Sequence, residues 1–467
     1  MLFNTLQFAI FFCAVLAVFR CVPRSARTMW LLGASLLFYL LWYPMYLLLL
    51  LLDIGVNYLL VRALASSRRP RLVLATSVSF TLGLLAYFKY AAFFVESAAP
   101  LLAAGFGWSP PVPEIVLPLG ISFYSFQIIG LAIDTYRGHG PPVPNLGRYA
   151  LFVSFFPQLI AGPILRGDEL LPQIESGGTI TPERTRRGIW LIASGLTKKV
   201  IFADFLLAPF VDEVFAVPGV GSAPFHWAAA YSFAFQIYFD FSGYTDMARG
   251  LACLLGYELP LNFREPYLSR NPAEFWHRWH VTLSRWLRDY LYIPLGGNRG
   301  GPIRTYVNLA LTMLLGGLWH GAAWNFVVWG GLHGVMLACH RRFRRTDAET
   351  APLRPGDVPR IFLMFHAATL LFVFFRASTF PGALTFIEAL VAGGKHHGWP
   401  VLQMLVLLVC ANLHWLERAA RLHIVAVRER LATTWWGIAL EGCALGSVVG
   451  LAVAVGGAGG EFIYFQF

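Results

Sequence analysis

Charged residues are scarce in this chain: of 467 residues only 13% are Asp, Glu, Lys or Arg, against roughly a quarter in soluble domains, while 57% are hydrophobic. That balance excludes an ordinary soluble protein. A soluble chain of this length would divide into two or three domains of about 150 residues with polar linkers, and no such linker interrupts the apolar runs. A single membrane domain over residues 1–467 is expected. Cysteine is sparse as well, at positions 13, 21, 253, 339, 410 and 443, with no CxxC pair. Neither a disulfide framework nor a metal cluster follows, and these residues read as small buried hydrophobes. Internal repeats and low-complexity tracts are missing too. The apolar run Leu2 to Phe19 has no basic flank before it and no small-residue cleavage site after it, so it reads as a retained first span, not a signal peptide.

The net charge is +11, yet the bases form no water-facing stripe interleaved with aromatics, as nucleic-acid binding would need. They sit in short clusters between apolar runs. A span needs about 20 mainly apolar residues. Candidate spans are 2–19, 29–44, 46–62, 72–95, 115–135, 188–210, 225–256, 304–320, 324–340, 360–376, 400–417 and 434–456. The expected fold is therefore all-α and polytopic, with about 11–12 transmembrane helices. Basic clusters at 20–27, 62–71, 341–345 and 418–430 belong in the cytoplasm by the positive-inside rule, which puts the N-terminus outside. The segments 96–114 and 377–399, which hold only Lys395 between them, then face outward together with Phe467.

The stretch 136–300 is less regular, with Pro157, Pro163, Pro266, Pro272 and Pro294 among apolar and charged residues. Irregular backbone at membrane depth survives only where protein or a water-filled cavity covers it, so re-entrant or tilted segments are expected here.

Ionisable residues inside a bilayer are costly and mark functional candidates. They are Lys198, Lys199 and Asp204 in GLTKKVIFADF, Asp240 and Asp246 in QIYFDFSGYTDMA, His277 and His280 in EFWHRWHVTLSRWLRD, His320 in GGLWHGAAW, and His333 in WGGLHG. His320 sits between two apolar runs, and a neutral histidine there can take a proton from a hydroxyl. A core histidine bonded to a backbone carbonyl is the plain alternative. His277 and His280 share a helical face if the stretch is helical, but an i, i+3 pair alone is weak evidence for zinc, and no metal is expected. Trp276, Trp279 and Trp286 read equally as an interfacial belt, with Arg278, Arg288 and Asp289 facing water or pairing. Asp240 and Asp246 either pair with intramembrane Lys or Arg, for which Lys198 and Lys199 are candidates, holding helices together, or take part in the chemistry. The loop Pro294 to Gly301 offers amides and Arg299 to a phosphate, or is a simple surface turn.

Taken together these segments resemble the membrane-bound O-acyltransferase superfamily, in its alginate O-acetyltransferase branch. The motifs are PLGISFYSFQ at 118, DTYRG at 134, FFPQLIAGPILR at 155, GLTKKVIFAD at 195, QIYFDFSGYTDMARGLA at 236, LNFREPY at 261, FWHRWHVTLSRWLRDYLYIPLGGNR at 275, TMLLGGLWHG at 312, WGGLHG at 329 and FFRA at 374. The resemblance implies re-entrant segments and helices around a central tunnel. It also implies acyl transfer, acetyl in the alginate branch, from a cytoplasmic thioester to a hydroxyl on the outer face. By resemblance His320 falls on the catalytic histidine of LWHG and His280 on that of WHxxLS. The implied donor is acetyl-CoA or an acyl-carrier protein, with no tightly bound cofactor. A periplasmic acetyltransferase partner and an exported polysaccharide such as alginate complete the system, in the inner membrane. The chain ends sooner than many alginate-type members, which leaves a reduced C-terminal region and a different acceptor open.

Two readings compete with the enzyme. One is a proton-coupled transporter or flippase of polysaccharide precursors that uses the buried His, Asp and Lys residues as a relay, although no repeated pair of broken helices supports it. The other is a scaffold for a synthase complex.

Overall fold

The computed structural model describes residues 1–140, 143–343, 353–392, 399–431, 434–455 and Ile463. Among them the chain is helical without a strand. In order the helices are α1 (Leu6–Cys21), α2 (Arg24–Leu40), α3 (Pro44–Leu64), α4 (Pro70–Leu85), α5 (Ala91–Phe106), α6 (Ile121–Arg137), α7 (Leu146–Ser154), α8 (Phe156–Leu159), α9 (Gly167–Ser176) and α10 (Pro182–Leu196). They continue as α11 (Ala208–Ala216), α12 (Ala223–Leu254), α13 (Pro272–Arg278), α14 (Val281–Leu287), α15 (Gly301–His320), α16 (Trp324–Phe343), α17 (Val358–Arg376), α18 (Phe380–Ala392), α19 (Val401–Leu431) and α20 (Trp435–Val455).

Among the described residues, four stretches are long and apolar enough to cross a membrane by length and composition: Pro44–Leu64, Pro70–Phe106, Pro355–Arg376 and Val401–Ala419. Leu6–Cys21, Phe380–Ala392 and Ala439–Val455 are shorter apolar helices. The chain is a multi-pass membrane protein, but fewer helices meet this standard than the eleven or twelve expected from the sequence. The reasons are physical. The apolar run 188–210 is divided between α10 and a π-helical stretch, Thr197–Leu207. The run 225–256 lies in a 32-residue helix that carries Asp240, Asp246 and Arg249. The helices α15 and α16 reach 20 residues each, with glycine, asparagine and histidine diluting their hydropathy. Segment 96–114, expected as a loop, stays helical to Phe106 and stops at Gly107, whose left-handed φ of 64° caps the helix.

The chain falls into two compact units. The first comprises Met1–Ile192, Ala248–Pro260 and Gly321–Ala323. Its helices α3 and α4 are joined by a buried polar cluster: Asn57 donates to the Asp53 carboxylate at 2.7 Å and to Thr81 at 2.9 Å, and Ser77 donates back to Asn57 at 2.5 Å. Such bonds hold helices together where apolar contact gives little net drive.

The second unit comprises Ala193–Met247, Leu261–His320 and Trp324–Phe467. Here α15 and α16 cross on two glycines. A Cβ at Gly317 would collide with the Phe326 carbonyl and lie 3.0 Å from the Gly330 Cα, and one at Gly330 would collide with the Met313 carbonyl. Only glycine lets the two backbones meet so closely. Gly195 and Gly243 bring the end of α10 against α12 in the same way, with a Cβ at Gly243 placed 2.8 Å from the Gly195 carbonyl.

The cysteines only partly follow expectation. Cys253 and Cys410 are buried, whereas Cys13, Cys21, Cys339 and Cys443 are exposed on helix faces. For a membrane protein an outward apolar position is as suitable for a small hydrophobe as a core position.

Candidate active site

The glycine crossing of α15 and α16 sets two histidines within one aromatic cluster. His320, the last residue of α15, is 4% exposed. Its ring lies 5.0 Å from Trp319, 5.1 Å from Trp329 and 5.3 Å from Phe375, each close to edge-to-face. His333, on α16, is fully buried against the other residues of this layer, with Trp329 at 4.7 Å and Trp276 at 5.0 Å. Neither of its ring nitrogens has a hydrogen-bond partner among the described residues.

His280 reaches the cluster from the connection between α13 and α14. It is fully buried, with Phe241 edge-to-face at 4.7 Å and Trp319 at 6.1 Å. Trp319 thus has ring contacts with both His280 and His320. The backbone of His280 is left-handed, at φ 42° and ψ 56°, a conformation shared among the described non-glycine residues only by Glu265. Strain of this kind persists where surrounding contacts over-determine it. The clamp is Asn262: its backbone carbonyl accepts from Val281 N at 2.9 Å, and its side-chain oxygen faces His280 Nδ1 at 3.1 Å. Burial among these rings holds the His280 imidazole well below its ordinary pKa, hence neutral.

His277 goes elsewhere. The helix α13 ends at Arg278 and the chain turns at His280, so the two histidines do not share a face. His277 is exposed, with Nδ1 at 2.7 Å from the Ala273 carbonyl, and the paired-histidine metal reading has no geometry to support it. The tryptophans are not an interfacial belt either. Trp276, Trp279 and Trp286 are 8%, 2% and 8% exposed; Trp276 packs on His333, Trp279 on Phe263, Phe275 and Phe372, and Trp286 on Tyr290. Arg288 pairs with Asp289 at 2.6 Å, and Arg278 with the buried Glu274 at 2.7 Å. The segment Pro294 to Gly301 folds as turns, with Arg299 exposed and the Gly297 carbonyl accepting from Asn308 at 3.0 Å.

The expected ion pairs form. Lys198 binds Asp246 at 2.9 Å and Glu417 at 2.6 Å. Lys199 binds Asp204 at 2.9 Å and also Asp240, whose other oxygen takes the Ile463 amide at 3.1 Å. Each lysine is thus held by two carboxylates, the arrangement that permits charge at this depth.

Sequence reasoning missed Asn262 and Glu417. Glu417 carried a usable signal, a carboxylate at the end of an apolar run. Asn262 carried none, because its importance lies in a turn that brings it to a residue 18 positions away. His396, His397, Lys395, Arg344, Arg345 and Phe467 lie outside the described residues.

A cleft of about 240 Å³ opens beside this cluster, with Trp276, Leu287 and Met313 among its walls and His277, Arg285 and Arg288 along it. It is apolar within and basic at its sides.

Comparison with known proteins covers the same part of the chain. The profile of MBOAT, the membrane-bound O-acyltransferase family, matches residues 135–375, which include His280, His320 and His333. A probable alginate O-acetylase AlgI of Azotobacter vinelandii is 43% identical over 379 residues, 80% of this chain and 74% of that protein. Its counterpart in Pseudomonas aeruginosa is 42% identical over 402 residues, 84% of this chain and 75% of the relative. A peptidoglycan O-acetyltransferase of Helicobacter pylori is 37% identical over 392 residues, covering 78% and 73%. Family profile and relatives both span the stretch in which the two motif histidines meet around Trp319, and the chain belongs to the membrane-bound O-acyltransferase family.

Proposed function

We propose that the chain takes an acyl group, acetyl in the first instance, from a cytoplasmic thioester and delivers it for O-acetylation of an exported polysaccharide such as alginate. The observation that carries this reading is the placement of His280 and His320, both buried and both against the Trp319 indole. In the transfer, a hydroxyl oxygen of the acceptor attacks the thioester carbonyl as His320 takes its proton. The new C–O bond forms, the C–S bond breaks, and the proton passes from the imidazolium to the departing thiolate, which leaves as a thiol. His280 assists at the same centre. General-base help of this kind is worth about 10²- to 10⁴-fold.

The cleft at Trp276, Arg285 and Arg288 suits the donor, since acetyl-CoA and an acyl-carrier protein both present a phosphate followed by a slender arm. The site chemistry calls for no tightly bound cofactor. The names of the relatives, with alginate and peptidoglycan as the acetylated polymers, favour a polysaccharide acceptor, and the same proposal sets the chain in the inner membrane with a periplasmic acetyltransferase as its partner. The transporter reading is weaker, because Asp240, Asp246, Lys198 and Lys199, which a proton relay would use, are held in ion pairs. Purified protein in vesicles, given labelled acetyl-CoA or acetylated carrier protein inside, decides the matter. Label transferred to a hydroxyl acceptor in a His320-dependent manner supports the enzyme. Movement of an unacylated precursor without transfer supports the transporter.

A further inference from the structure

A side-chain amide can be turned end for end without changing its shape, so which atom of Asn262 faces His280 must be read from its other neighbours. Three groups converge on that atom: His280 Nδ1 at 3.1 Å, the Thr282 hydroxyl at 3.0 Å and the Thr282 backbone N–H at 3.2 Å. A backbone N–H can only donate, so the atom it meets is the amide oxygen. An oxygen with no hydrogen of its own is satisfied at 3.1 Å from an imidazole nitrogen only if that nitrogen carries the proton. In the neutral ring the second nitrogen then has a lone pair and no hydrogen. His280 Nε2 has no partner among the described residues.

We propose that Asn262 is a positioning residue of the acyl-transfer site: it holds His280 in the Nδ1–H tautomer, so that Nε2 is presented as a hydrogen-bond acceptor to the attacking hydroxyl. This rests on the acyl-transfer reading above and narrows it. With Nε2 as an acceptor, neutral His280 cannot donate to the oxyanion of a tetrahedral intermediate. It can orient the acceptor's O–H and share its proton with His320. The surroundings favour the neutral ring. The elements packed on it present Phe241 from α12, Phe263 from the following segment and Trp319 from α15, none of them titratable. The charged groups on this side are Lys198 and Asp246, which with Tyr238 line a small cavity of about 40 Å³ shared with Asn262, and Lys198 is already bound by two carboxylates. The left-handed turn at His280 and the bond from Val281 N to the Asn262 carbonyl fix the ring relative to the amide, which is what a tautomer lock requires.

The test reads the tautomer and the rate separately, on the full chain in lipid vesicles. Histidine labelled with ¹⁵N gives distinct shifts for N–H and bare ring nitrogens, and a His280→Gln variant identifies the signals of His280. The expected result is a protonated Nδ1 and bare Nε2 at neutral pH, lost or mixed in Asn262→Leu. Labelled acetyl transfer from acetyl-CoA should fall about tenfold in kcat in Asn262→Leu, the worth of one buried hydrogen bond, with little change in the donor KM. Asn262→Asp keeps the acceptor oxygen and adds a charge that favours imidazolium, so it should recover rate at high pH while its acid limb moves to higher pH. A bare Nδ1 in the wild type overturns the proposal whatever the activity. So does a folded Asn262→Leu with the wild-type tautomer, rate and pH profile. A wild type with the expected tautomer that transfers no acetyl would instead refute the acyl-transfer reading.

Discussion

Gly317 and Gly330 meet backbone to backbone, and that contact fixes the distance between the helix that ends in His320 and the helix that carries His333. A methyl group on Gly317 has nowhere to go, since its nearest neighbours are main-chain atoms of Phe326 and Gly330. Gly317→Ala should therefore cost about 1–3 kcal/mol by overpacking and displace His320 at the same time. A lower melting temperature in detergent together with reduced acetyl transfer is expected. An alanine variant with unchanged melting and rate would show that the helices can separate without loss.

The ion cluster makes a prediction of another kind. Replacing Lys199 by Met leaves the Asp204 and Asp240 carboxylates without their shared cation, a change worth roughly 3–5 kcal/mol for a buried pair. Asp240→Asn and Asp246→Asn should be milder, since each lysine keeps its second carboxylate. All three should lower the yield of folded protein more than the rate per folded molecule. Normal yield with abolished transfer in either Asn variant would place that carboxylate in the chemistry.

Lys198 and Lys199 pairing with Asp240 and Asp246 was legible in the sequence, because an apolar neighbourhood leaves a charge no option except a partner. Hydropathy likewise located the helices, and the LWHG and WHxxLS motifs marked His320 and His280. What could not be read was geometry that depends on turns. The helix stops at Arg278, and His280 takes a left-handed backbone, so the helical condition under which His277 and His280 would share a face is not met. The tryptophans were ambiguous for a related reason, as an indole suits an interface and a core equally and only packing decides.

Topology can be tested at two exposed serines. Ser66 follows α3 in a basic connection, and Ser109 lies just past the end of α5 in a segment with no Lys or Arg. With Cys13, Cys21, Cys339 and Cys443 first replaced, Ser109→Cys should react with an impermeant thiol reagent from the periplasm and Ser66→Cys should not. The opposite pattern would invert the orientation.

His333 is expected to behave unlike His280 and His320. Since neither ring nitrogen has a partner among the described residues, His333→Phe breaks no hydrogen bond among them and relieves two buried polar atoms. The variant should melt at or above the wild-type temperature with its ring contacts to Trp329 and Trp276 retained. A fall of several degrees would mean that the imidazole is bound to something in the membrane-embedded protein, water included.

The most consequential prediction concerns His320 and His280. His320→Ala removes the proposed base and should reduce acetyl transfer by about 10²- to 10⁴-fold while the protein still folds, because general-base catalysis is worth that much. His280→Ala should lower the rate but leave a residue of activity, in keeping with an assisting role. The pH response has a fixed sign. Both imidazoles act in the neutral form, so the rate should be flat at neutral pH and fall as acid protonates them. For His280, burial delays that protonation to well below the ordinary histidine range. An acid limb in the wild-type profile should therefore not belong to His280, and it should persist in His280→Ala. His277→Ala separates binding from chemistry: its ring is exposed and bonded to its own helix but lines the donor cleft, so kcat should change little while the donor KM rises. A His320→Ala protein that elutes and melts as the wild type does and still transfers acetyl at the wild-type rate would remove the base from this mechanism.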